Sequence, residues 1–155
     1  MTTIRSRSGF TLVEVLIVVV ILGVLATICI ASFGNSTSDS ADKSFVSNLR
    51  TFSTQFSVYE VRNGIWPAER AAGVVPPELA STLDYDRWTN PTPIGGNWDW
   101  DFNLFGVTAG ISVVAPDRTS AQMTEIDRLI DDGNLNTGSF RERAGGGAYI
   151  FVLVP

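Results

Sequence analysis

Two hydrophobic patterns follow one another in the N-terminal part of the chain. From Phe10 to Phe33 it is dominated by Val, Leu and Ile, and no charged residue occurs between Val15 and Ser38. Those 24 residues would form about 36 Å of α-helix, long enough to cross a bilayer. Further on, Phe45, Leu49, Phe52, Phe56 and Tyr59 recur at alternating spacings of 4 and 3, which places one apolar stripe along a helix. Lys43, Asn48, Arg50, Thr54, Gln55 and Glu60 fall off that stripe, toward water or neighbours. Between the two patterns lies Gly34-Asn35-Ser36-Thr37-Ser38-Asp39-Ser40, poor in helix formers. We expect a soft joint there with a new N-cap near Ser40, an uninterrupted helix being the alternative. The amphipathic helix then covers about 40–63.

Asn63-Gly64 should end this helix, with Gly64 just beyond the last helical residue. The chain from 67 to 96 holds five of the seven prolines, which predicts a long loop with a short helix from Pro77 to Leu83. Trp66, Tyr85 and Trp88 are expected to pack that loop down. Trp98 to Phe102 alternates aromatic and aspartate, the pattern of a strand with its aromatics inward and Asp99 and Asp101 outward. Gly110 to Ala115 and Ala148 to Val154 are rich in β-branched residues and predict two more strands. Between these two, Thr119 or Ser120 can cap a helix whose apolar face is Met123, Ile126, Leu129 and Ile130. The resulting class is α+β: a long N-terminal helix, half apolar anchor and half amphipathic, packed on a small antiparallel sheet.

Composition narrows the function. After an apolar N-terminal segment, 155 residues leave room for one small domain. The net charge is −5, and no basic patch interleaves with aromatics, so nucleic acid is not an expected partner. The lone cysteine, Cys29, allows no intrachain disulfide and sits in the apolar run, where it serves as a small hydrophobe. The absence of histidine removes Ser-His and Cys-His pairs and the commonest general base, so no enzymatic activity is expected.

The N-terminus carries the most specific signal. Glu14 places a carboxylate at the mouth of an apolar helix, which a plain anchor or an ordinary secretory signal does not need. An α-amine created by cleavage between Gly9 and Phe10 would neutralise it, within one chain or between neighbours. Gly9-Phe10-Thr11-Leu12-Val13-Glu14, after a short leader with Arg5 and Arg7, resembles the signal of type IV pilins and type II secretion pseudopilins. The resemblance covers Arg5 to about Ala31.

Several expectations follow from that resemblance. Residues 1–9 would be a leader removed by a prepilin peptidase, with Phe10 N-methylated and Glu14 serving assembly. Residues 10–33 would form the membrane or filament-core helix, and 34–155 the periplasmic pilin-like domain. Partners would be the peptidase, other pilins or pseudopilins, the inner-membrane assembly platform and the cytoplasmic membrane. The chain would be a single-pass inner-membrane protein and then part of a periplasmic or surface filament. The proline that major pilins and major pseudopilins carry in this helix falls on Ala31, which points to a minor subunit. A membrane-anchored periplasmic module binding carbohydrate or calcium is the alternative.

Three further groups of residues qualify as sites. Asp131, Asp132, Asn134 and Asn136 concentrate oxygen donors of the kind calcium uses, and major pseudopilins often hold calcium in a C-terminal loop. Measured against an EF-hand from Asp132, Thr137 replaces the glycine and Arg143 the closing glutamate. A helix end and turn, with Gly133 and Gly138 at positive φ, is the plainer account. Trp66, Trp88, Trp98 and Trp100 would make a sugar platform if exposed, but a core role suits them better. Asp99 and Asp101 form a carboxylate pair that strand alternation explains without glycoside chemistry.

Overall fold

The computed structural model describes residues 9–155, and within that range the side chains of 28–37 are left undescribed. The leader through Ser8, with Arg5 and Arg7, lies outside the described residues, as does the Cys29 side chain. Helix α1 runs Leu12–Asn63 without interruption. The expected joint and fresh N-cap at Ser40 therefore do not form. Weak helix formers cost at most about 1 kcal/mol each, which flanking helix readily outweighs. Among the described residues no helix is long and apolar enough to cross a membrane; part of the expected span falls on the undescribed side chains.

Ser40–Pro155 is one compact unit, distinct from the residues up to Asp39. In it, α1 stops just before Gly64, whose φ of 70° lies in the left-handed region that favours glycine; its N–H donates to the Glu60 carbonyl at 2.7 Å. The loop that follows holds a 3₁₀ turn at Pro77–Leu79 and helix α2 at Tyr85–Thr89. Four strands come next: β1 Asn97–Leu104, β2 Val107–Val114, β3 Phe140–Glu142 and β4 Ala148–Val154, with α3 (Ser120–Ile130) between β2 and β3. The sheet order is β1-β2-β4-β3 and every pairing is antiparallel. Thr119 caps α3 in a reciprocal box with Gln122.

The stripe on α1 faces the aromatic side of β1. Phe45 stacks on Trp98 with ring centroids 4.9 Å apart, and Phe56 stacks on Trp100 at 4.1 Å. Phe52 meets Trp88 and Trp98 edge-on, both at 5.1 Å. Trp88, Trp98 and Trp100 are fully buried. The Trp88 indole N–H donates to the Val74 carbonyl and that of Trp100 to the Pro67 carbonyl, which pins the proline-rich loop to the core. Trp66 packs against this cluster, but Tyr85 is 64% exposed and does not help hold the loop. Its place is taken by Leu79, Leu83 and Ile94.

Candidate functional site

Three places in the chain concentrate chemistry, and the N-terminal turn is the first. Thr11 precedes the first residue of α1, and its backbone N–H and hydroxyl both donate to Glu14 Oε2 at 2.7 Å. The Thr11 hydroxyl in turn accepts from the Glu14 N–H at 3.3 Å. This is a capping box, in which a carboxylate three residues into the helix also meets the positive end of the helix dipole. The Thr-x-x-Glu spacing ahead of an apolar run was legible in the sequence and supplies a local partner for Glu14 beside any α-amine. Phe10, at 82% exposure, and the large aliphatic residues from Leu12 to Leu25 all stand open. A continuous exposed apolar surface of this kind requires a nonaqueous surrounding or other helices.

The second place is the turn between α3 and β3. Asp127, one helical turn beyond Met123, is wholly buried and takes the place expected for Leu129, which is 45% exposed. Carboxylate oxygens of Asp127, Asp131 and Asp132 lie within 4.8 Å of one another. Asp132 accepts from the Thr137 hydroxyl and the Asn134 N–H, each at 2.8 Å, and these bonds, the hydroxyl's first, hold its carboxyl below the usual range. The Asp131 carboxylate accepts from the Ser139 N–H. The Asn134 and Asn136 side chains are exposed, and Asn134 Oδ1 accepts from the Asn136 N–H at 3.2 Å and from its side-chain amide at 3.3 Å. Gly133 and Gly138 adopt positive φ as expected.

The third place corrects the sequence reading. Asp99 and Asp101 do not point outward into water: Asp99 is buried and Asp101 is at 0% exposure. Arg143, from the loop after β3, donates to Asp99 Oδ2 at 2.8 Å and Asp101 Oδ1 at 3.2 Å. Its guanidinium lies 4.0 Å over the Phe105 ring. The Ser112 hydroxyl donates to Asp101, and Glu69 accepts from the Phe102 N–H at 2.8 Å. Burial is the first cause pushing Asp99, Asp101 and Glu69 upward, against the pull of Arg143 on both aspartates and of the Phe102 N–H on Glu69. A single cation from a distant loop thus bridges both aspartates, and the arrangement does not resemble an open pair of catalytic carboxylates. With Trp88, Trp98 and Trp100 inside, no platform of stacked tryptophans faces solvent.

The prokaryotic N-terminal methylation motif matches residues 4–30. The Type IV major pilin protein PilE1 of Neisseria gonorrhoeae is 30% identical over 71 residues, 46% of this chain and 33% of that protein. The Type II secretion system core protein G of Vibrio cholerae is 30% identical over 67 residues, 43% of this chain and 46% of that protein. Its counterpart in Dickeya chrysanthemi is 32% identical over 63 residues, 41% of each chain. The matched stretches thus span less than half the length of these relatives. The structure of the major Type IV pilin PilA1 from Clostridium difficile superposes with a TM-score of 0.54 at 12% identity, covering 78% of this chain and 98% of that one. The fold is that of a type IV pilin. The chain carries the prepilin-type methylation motif, and its sequence is similar both to type IV pilins and to core protein G of type II secretion.

Proposed function

We propose that this chain is a structural subunit, and a minor one, of a type II secretion pseudopilus or a type IV pilus-like filament. The observation that carries this is the methylation motif over residues 4–30, which takes in the start of α1, where the aliphatic side chains from Leu12 to Leu25 stand exposed. A prepilin peptidase cuts between Gly9 and Phe10 and Phe10 is N-methylated. The leader's loss makes the new ammonium available to Glu14 of the same or a neighbouring chain. The subunit waits in the cytoplasmic membrane with Ser40–Pro155 outside the cytoplasm. An inner-membrane assembly platform then moves it into a filament, where the apolar helix packs against those of other pilins or pseudopilins. The role is architectural and uses no catalytic group. Ala31, where major subunits carry proline, and helical backbone through that position support the minor rank.

Intact-mass measurement of the protein from its native host tests this reading. The expected mass is that of a chain beginning at N-methyl-Phe10; an uncut Met1 or a start at Ser32 contradicts it. Glu14→Val should leave membrane insertion intact or improved, since a carboxylate leaves the apolar segment. The same change should sharply reduce incorporation into filaments. Normal assembly of Glu14→Val would remove Glu14 from the mechanism.

A further inference from the structure

We infer that Arg143 is an acid-released latch: it closes over the sheet face turned away from α1 while Asp99 and Asp101 are ionised, and lets go when they take up protons. Topology is the first observation behind this. β1 and β3 are the two edge strands of the sheet. Arg143 follows β3, yet its guanidinium grips Asp99 and Asp101 on β1, so the loop that carries it folds over β4 and β2. The guanidinium also covers Phe105, whose φ of 52° is one that a bulky residue rarely adopts. One cation therefore ties together β1, the turn between β1 and β2, and the loop between β3 and β4.

The second observation is an imbalance of charge. One carboxylate oxygen from each of Glu69, Asp99 and Asp101 lies within 4.8 Å of the others. Among the described residues, Arg143 is the one cation paired with this cluster, and it reaches only the two aspartates. Arg70, beside Glu69, turns its guanidinium to the Glu69 carbonyl instead. Arg141 stands on the same sheet face, beyond Ser112 and Ile150 in the row that starts at Asp99, and Glu142 falls on the opposite face. Asp99 Oδ1 is buried without a hydrogen-bond partner. Burial is the first cause raising all three carboxyls, and repulsion among them adds to it. The Ser112 hydroxyl and Arg143 oppose this at Asp101.

Protons on both aspartates leave the guanidinium buried without a counter-charge, a state that water relieves. The loop is built to give way. Gly145, Gly146 and Gly147 all adopt positive φ, and a Cβ on any of them would meet nothing within 4 Å. Opening bares Phe105 and the three carboxyls. The fold itself does not weaken, because protons taken up by groups with raised pKa values favour the folded chain. The release is therefore local, and it rests on no part of the filament reading.

The test is nuclear magnetic resonance of the full chain in detergent micelles. It follows the Overhauser contact between the Arg143 side chain and the Phe105 ring from about pH 7 to about pH 4.5, the range above the usual aspartate value. The contact should be present at the upper end and lost at the lower, with the core contacts of Trp98 unchanged. Asp99→Asn combined with Asp101→Asn should lack the contact already at neutral pH. Ser112→Ala removes a bond that favours ionised Asp101 and does not touch Arg143, so it should move the loss to higher pH. A wild-type contact that persists to the lowest pH overturns the latch. So does its persistence in the double variant, an unmoved midpoint in Ser112→Ala, or loss of the Trp98 contacts together with it.

Discussion

Residues 12–25 and residues 45–56 lie on one helix and are both rich in large apolar side chains, yet they treat water in opposite ways. In the first stretch every large aliphatic residue is exposed, on all sides of the helix. In the second, apolar residues recur on a single face and are buried against the aromatic side of β1. The difference is periodicity. An all-round apolar helix has no polar face to give to water and needs a surrounding of its own kind. A striped helix can complete a core inside its own chain. Under the proposed function one segment serves assembly while the other serves folding, and substitutions should separate the two.

The largest effect is expected from the core. Trp98→Ala removes the ring that both Phe45 and Phe52 contact and should destabilise the Ser40–Pro155 unit by about 3–5 kcal/mol. Urea unfolding followed by near-ultraviolet circular dichroism reads this loss; a change under 1 kcal/mol would mean that the aromatic seam does not carry the core.

A smaller and pH-dependent effect is expected at Arg143. Arg143→Met strands Asp99 and Asp101 in the interior and should cost about 3 kcal/mol at neutral pH. Asp99, Asp101 and Glu69 all have folded-state pKa values raised by burial. The folded cluster therefore holds protons at pH values where the unfolded chain has released them. Its contribution to stability is most favourable below the unfolded range and is lost as pH rises through the raised values. The Arg143→Met defect should accordingly shrink between pH 7 and pH 5. An equal loss at both pH values would show that Arg143 acts through its contact with Phe105 and not through charge.

The smallest effect belongs to the exposed half of α1. Val18→Ser should leave the unfolding of the Ser40–Pro155 unit unchanged to within about 0.5 kcal/mol. Membrane partitioning should fall, since an apolar group that faces lipid is lost. A clear destabilisation of the folded unit would erase the distinction between the two stretches.

Local patterns made much of this fold legible. β4 occupies Ala148–Val154, the range its β-branched run predicted, and the Thr119 cap and the stop at Gly64 follow from residue chemistry nearby. β3 escaped because Phe140–Glu142 is three residues without alternation and gains its place only by pairing with β4. Asp99 and Asp101 were misplaced because their cover, Arg143, lies more than 40 residues away in sequence. Alternation shows that two faces differ, not which distant side chain closes the polar one. Asp127 was missed for a related reason. Met123, Ile126, Asp127 and Ile130 are the helical face that packs inward, and the periodicity fits them well. An aspartate in that register does not read as core, because charge ordinarily excludes a residue from the interior.

The central claim, that the apolar half of α1 serves a filament, is tested most directly by mass spectrometry of filaments sheared from the native host. The account predicts peptides of this chain in the filament fraction, starting at N-methyl-Phe10, at a lower abundance than another subunit. If this chain is the most abundant subunit, its minor rank is wrong. If it is expressed and membrane-bound but absent from the filaments, or present there with Met1 intact, the claim is contradicted.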